Sequence, residues 1–170
     1  MKGHVNVKLM CPFHNNYRNF IQARSPSYSY NTHIKTKEET LMDNNVFEAF
    51  NNGSLKLPIT TTNFADIAWS KHPTFEGVEL KHILTGKDTN GQFSYHLVRI
   101  APNKSIKNHI HETQLETHEV IAGSGVCIND GAKIAYEVGT ISIMPAKIPH
   151  EVNAGEDGLY LFAKFFPALC

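Results

Sequence analysis

From Val78 onward, hydrophobic and polar residues alternate in short runs, the period-two signature of half-buried strands. VELKHIL (78–84) puts Val78, Leu80, His82 and Leu84 on one face, TGKDTNGQ makes a turn, and FSYHLVRI (93–100) returns. SIKNHIH (105–111), LETHEVIA (115–122), GVCIN (125–129) and AKIAY (132–136) read as further short strands. Asp130–Gly131 supplies the hairpin turn between the last two, and TISIMPA (140–146) and LYLFAKFF (159–166) complete the set. Many short strands at close spacing predict an all-β sandwich or small barrel, with no internal repeat and no second domain. Helical turns are confined to the N-terminal side. In MDNNVFEAFNNG (42–53), Asp43 caps a short helix that buries Val46, Phe47 and Phe50, with Gly53 beyond its end.

Residues 1–41 break the pattern. NNYRNF, SPSYSYNTH and KTKEET are polar and lack sustained periodicity, which predicts a disordered or loosely attached extension before a single domain over 42–170. Charge marks the same boundary. The whole chain balances at a net charge of +0, but residues 1–41 carry six Lys/Arg against two acids, leaving ten bases and fourteen acids for the remainder. A translation start at Met42 would account for the shift. Overall balance gives no reason to expect nucleic acid or a membrane surface as partner. Three scattered cysteines, Cys11, Cys127 and Cys170, form neither a disulfide framework nor a zinc-type pairing. With no secretory signal and no apolar run long enough to span a bilayer, a cytoplasmic protein is expected.

Chemistry concentrates in NHIHETQLETHEVIAGSG (108–125). Strand alternation points His109 and His111 to one side and Asn108, Ile110 and Glu112 away. On the next strand Glu116 and His118 share a face that Val120 and Ala122 continue, while Thr117, Glu119 and Ile121 take the other. Two imidazoles and a carboxylate thus meet across neighbouring strands. His150, held behind Pro145 and Pro149 in GTISIMPAKIPHEVNAG, is the fourth candidate.

These residues resemble the two motifs of the cupin superfamily, in particular its short bacterial single-domain members. His109, His111, four residues, Glu116, six residues and Gly123 follow the first motif; Gly139, five residues, Pro145 and then His150 follow the second. Asn103 and Lys147 stand where the motifs carry glycine, and Asn153 comes one position early with Ala154 at the usual site. The resemblance covers about residues 78–166. It implies a small double-stranded β-helix, a jelly-roll-like barrel, with metal held by His109, His111, Glu116 and His150. It also implies a homodimer that covers an edge strand. Three neutral imidazoles and one carboxylate suit Fe, Mn, Ni, Co or Zn as the divalent ion and leave one or two positions for water or substrate. A structural thiolate zinc site is excluded by the ligand types.

Two functions follow from the resemblance. One is a small metalloenzyme of dioxygenase, isomerase or lyase type acting on a small organic molecule. The other is a non-catalytic module that binds or senses a small ligand. His118 separates them: by parity it faces the site yet is spare to the ligand set. It reads as a group that supports the ligands or contacts substrate, and in an enzyme as the candidate catalytic proton carrier, against a packed core histidine. His96 is a further cavity candidate, whereas His33, His72 and His82 read as ordinary hydrogen-bonded histidines. Trp69, Phe162, Phe165 and Phe166 read as core or pocket wall, Arg99 and Lys164 as exposed strand residues, and Cys127 as a buried small residue.

Overall fold

The computed structural model describes residues 46–170. The extension expected over 1–41, the Asp43 cap, Cys11 and His33 lie outside the described residues. Helix α1 covers 46–51, followed by β1 (Ser54–Lys56), β2 (Thr61–Asn63), a single 3-10 turn at Phe64–Asp66 and β3 (Ser70–Lys71). The main strands are β4 (Val78–Leu84), β5 (Ser94–Ile100), β6 (Ser105–His109), β7 (Leu115–Asn129), β8 (Ala132–Tyr136), β9 (Ile141–Met144) and β10 (His150–Phe166). Their order is β3-β4-β5-β10-β7-β8, with β6 also on β10 and β9 also on β7. Every pairing is antiparallel. This is the all-β barrel architecture that the alternation predicts.

Two long strands organise it. LETHEVIA and GVCIN, expected as separate strands, form one continuous β7, and β10 likewise starts at His150, well before LYLFAKFF. Both change neighbours midway. The first half of β7 pairs with β9 and its second half with β8. The start of β10 pairs with β6 and its second half with β5. At the crossover the register slips between Ala154 and Leu159 and again between Tyr160 and Leu161. Gly123 and Gly158 both adopt positive φ there, and a Cβ on Gly123 would lie 2.2 Å from the Gly158 carbonyl oxygen. Only glycine fits so close an approach.

An extra residue reverses the pleat, so side-chain parity flips along each long strand. In β7 the interior residues are Glu116, His118 and Val120, then Cys127; in β10 they are Val152 and Ala154, then Leu159, Leu161, Ala163 and Phe165. Ala122, expected inside with Glu116, therefore packs in the other cluster, beside Ile121.

That second cluster covers the outer face of β5 and β10. Phe47, Phe64 and Ile83 pack on Leu97 and Phe162, with Trp69 against them. The Phe47 ring meets Tyr160 at 4.2 Å and Phe50 meets Phe162 edge-on at 4.7 Å. The helix is too short to bury three residues: Phe47 is enclosed, while Val46 and Phe50 remain 42% and 41% exposed. Turn chemistry matches expectation at Asp130–Gly131, where both residues have φ above zero as a type I′ hairpin requires. No helix among the described residues is long and apolar enough to cross a membrane.

Candidate metal centre

His109 closes β6 and sits directly opposite His150, the first residue of β10. Two residues on, the His111 carbonyl accepts a hydrogen bond from the Lys147 N–H at 2.7 Å. The turn before His150 is pinned too, because Ile148 N–H donates to Pro145 and Asp130 N–H to Pro149. Glu116 enters from β7, paired with Phe165 of β10 and Met144 of β9. One donor atom from each of His109, His111, Glu116 and His150 lies within 4.8 Å of the others. Sequence spacing predicted this grouping, and the backbone registers bring it about.

Glu116 is the hub, only 5% exposed. Its Oε2 lies 3.0 Å from Nε2 of both His111 and His150, and its Oε1 lies 2.7 Å from Nε2 of His118. The His111 approach is out of line, so that buried Nε2 has no hydrogen-bond partner. A buried ring nitrogen beside a carboxylate with no hydrogen bond between them is costly, and a cation between them would relieve it. Backbone carbonyls orient the other rings. His109 Nδ1 lies 2.8 Å from the Lys107 oxygen and His150 Nδ1 3.2 Å from the Ile148 oxygen, which turns both Nε2 atoms inward.

Electrostatics match the same purpose. Burial pushes the Glu116 carboxyl up, but the imidazoles of His118, His111 and His150 outweigh it and hold it well below the usual carboxylate range. Burial pushes His109 down, toward the neutral form that ligates. For His150, burial acts downward as well, yet the hydrogen bond and charge of Glu116 raise it overall. The residues present thus fit a divalent ion: an anionic carboxylate, converging imidazoles and one orphaned nitrogen.

His118 lies on the Glu116 face as parity predicts, 2% exposed. Both its nitrogens are engaged, Nε2 with Glu116 and Nδ1 with the Tyr136 hydroxyl at 2.9 Å. Tyr136 is the residue that the sequence pattern did not single out. The available signal was a tyrosine ending AKIAY, since a buried phenol needs a partner for its hydroxyl.

A cavity of about 60 Å³ opens beside the cluster, lined on its polar side by His109, His111, Glu116 and His118 and on its apolar side by residues such as Val98 and Phe165. His72 also reaches it, its Nδ1 accepting the N–H groups of Thr74 and Phe75, both at 3.1 Å. His96, expected as a further cavity residue, is not among those lining it. Phe166, expected in core or pocket wall, instead stacks on Phe93 at the surface, 42% exposed. Its place at the end of β10 puts it beyond the barrel. Arg99 pairs with Glu79 and Lys164 with Glu119.

Residues 96–163 match the family model described as the cupin domain. No curated protein matches the chain in sequence. Among solved structures, a predicted oxalate decarboxylase from Thermotoga maritima superposes with TM-score 0.56 and 20% identity, over 61% of this chain and 95% of its own. An RmlC-like cupin from Shewanella frigidimarina gives TM-score 0.56 and 15% identity, over 64% and 90%. The polyketide cyclase RemF from Streptomyces resistomycificus gives 0.56 and 18%, over 64% and 79%. At these identities the likeness is one of fold.

Proposed function

Because this chain belongs to the cupin superfamily, with its cupin domain over residues 96–163, we propose that it is a metal-dependent enzyme acting on a small organic molecule. The observation that carries the reading is the convergence of four donor atoms, one of them the unpartnered His111 Nε2, at the edge of a cavity. His109, His111, Glu116 and His150 would hold a divalent ion of the Fe, Mn, Ni, Co or Zn kind. When bound, the ion supplies Lewis-acid polarisation of a substrate oxygen.

The side chains define what else the site can do. Three neutral imidazoles and one carboxylate leave a divalent ion one net positive charge. Among the described residues no Lys or Arg lines the cavity, so the ion would be the positive partner for a carbonyl or carboxylate ligand there. About 60 Å³ suits a compact molecule of few heavy atoms. Val98 and Phe165 exclude water from one side and thereby strengthen the electrostatics of the other. The structural neighbours are named as a decarboxylase and a cyclase. The donor set of this chain supports dioxygenase, isomerase and lyase chemistry alike.

In this reading His118 is a positioning residue. It donates Nε2–H to Glu116 Oε1 and accepts from the Tyr136 hydroxyl, which leaves Glu116 Oε2 for the ion. With both nitrogens occupied it has none to offer substrate, so the proton-carrier role expected of it is given up in favour of support for Glu116.

Metal analysis tests the proposal. His109→Ala and His150→Ala should each lose one equivalent of bound divalent ion relative to the unaltered protein, whereas His72→Ala should not. Chelation should lower the thermal midpoint, because an ion that binds only the native state stabilises it. His118→Gln should keep the fold and weaken metal affinity by about 10–100-fold. Equal metal content in His150→Ala and the parent would sink the assignment.

A further inference from the structure

A second group of donor atoms lies in the described chain. His82 on β4 is paired with His96 on β5. Their Nδ1 atoms approach to 2.9 Å, with the ring planes at 87°. Cys170 Sγ lies 3.7 Å from His82 Nδ1, and donor atoms of all three residues fall within 4.8 Å of one another. We propose that His82, His96 and Cys170 form a second metal site, one that takes Zn(II) and leaves its fourth position open to solvent.

The thiol is held in place. Gly86 N–H donates to the Cys170 carbonyl, Leu169 N–H to Ser94 Oγ at 2.9 Å, and Ala168 N–H to the Gly91 carbonyl at 3.0 Å. Three successive residues are thus tied to β5 and the β4–β5 turn. The same Ser94 Oγ lies 2.9 Å from His96 Nε2. When the His96 ring N–H is on Nε2 and donates to Ser94, Nδ1 presents its lone pair to His82 and Cys170, the support that ligating histidines ordinarily have. Burial pushes His96 down to about 4 and lowers His82 also, which favours the neutral rings that ligation needs, and the proton shared between their Nδ1 atoms moves off when the ion enters. Burial pushes the Cys170 thiol up, so the ion must displace its proton on binding.

Distances suit a tetrahedral ion. With Zn–N near 2.0 Å and Zn–S near 2.3 Å, S and N stand about 3.6 Å apart and the two nitrogens about 3.3 Å apart, so the Cys170–His82 separation of 3.7 Å already fits and the imidazoles need part by about 0.4 Å. Exposure grades from buried His96 through half-buried His82 to exposed Cys170, which provides access for the ion. Two imidazoles with a thiolate select Zn(II) over harder divalent ions. The site is separate from the first and does not rest on it. The Phe165 ring stands 5.2 Å from His111 and 5.6 Å from His96, and the first cluster contains no sulfur.

That sulfur supplies the test. The full chain is stripped with chelator and titrated with Co(II), whose bond to a thiolate gives a charge-transfer absorption that imidazole and carboxylate ligands do not. The band should appear in the unaltered protein and in His150→Ala, and be absent from Cys170→Ser and His82→Ala. Zn(II) titration should show Cys170→Ser binding one equivalent fewer. Cys170 is exposed, so its replacement leaves the fold intact even if His82→Ala does not. A band missing from the unaltered protein, or persisting in Cys170→Ser, overturns the proposal.

Discussion

Asn103 and Lys147, which stand at glycine positions of the cupin motifs, both adopt left-handed backbone, with φ of 58° and 66°. The turn geometry survives the loss of glycine. Asn tolerates that region, but a lysine there costs about 1–2 kcal/mol. Lys147 N–H bonds the carbonyl of His111, so the strained turn is also what holds a candidate ligand. Lys147→Gly should therefore raise stability by about 0.5–1 kcal/mol, read as a higher urea midpoint, with metal affinity unchanged. A midpoint equal to or below the parent's would show that the left-handed turn carries no strain. His109, His111 and Glu116 were legible from strand parity and short spacings, and His150, 34 positions from Glu116, from the resemblance to the second cupin motif. His82, His96 and Cys170 were not, since their partners lie 14 and 88 positions apart and meet only when β4, β5 and the segment after β10 close together.

At the scale of elements, alternation located the strands but not where their pleats reverse. Gly123 and Gly158 looked like ends of strands, whereas their close crossing lets β7 and β10 continue into a second set of partners. Nor did VELKHIL announce a buried lysine. Lys81 is 3% exposed, and its Nζ donates to Asn51 O at 3.2 Å, Asn51 Oδ1 at 2.7 Å and Phe64 O at 2.7 Å. One ammonium thereby ties the end of α1 and the 3-10 turn to β4, adding a donor at the Asn51 and Phe64 oxygens where these short elements end. Lys81→Met keeps the aliphatic stem but removes the ammonium donor from both Asn51 oxygens and leaves Phe64 O only its Ile67 N–H bond, and should destabilise the protein by about 2 kcal/mol. Trp69 is the sole tryptophan, with Lys81 Nζ 5.2 Å and the Arg99 guanidinium 4.2 Å from its ring centre. Its emission should shift in the same variant, because a cation leaves its face. Unchanged emission together with unchanged stability would mean that the lysine is dispensable to this joint.

For the whole molecule, the composition break near Met42 bears on how much of the chain the barrel needs. The described residues, from 46 onward, already contain both apolar clusters and both groups of metal-type donors. Phe47, 6% exposed between Trp69 and Tyr160, is the first described residue of the core. We propose that the domain boundary falls before it, where the polar, unpatterned sequence of residues 1–41 ends. We expect a chain starting at Met42 to unfold at the same denaturant midpoint as the full chain and to bind the same equivalents of metal. Its charge should change markedly. Ten bases against fourteen acids leave 10 − 14 = −4, where the full chain balances at +0. The shortened protein should therefore bind an anion exchanger at neutral pH that the full chain passes through. Loss of stability or of metal on shortening would show that residues 1–41 complete the barrel, and the boundary drawn at Met42 from composition would be wrong. Equal stability and equal metal content with the altered charge would show that the barrel and its donors are complete without residues 1–41.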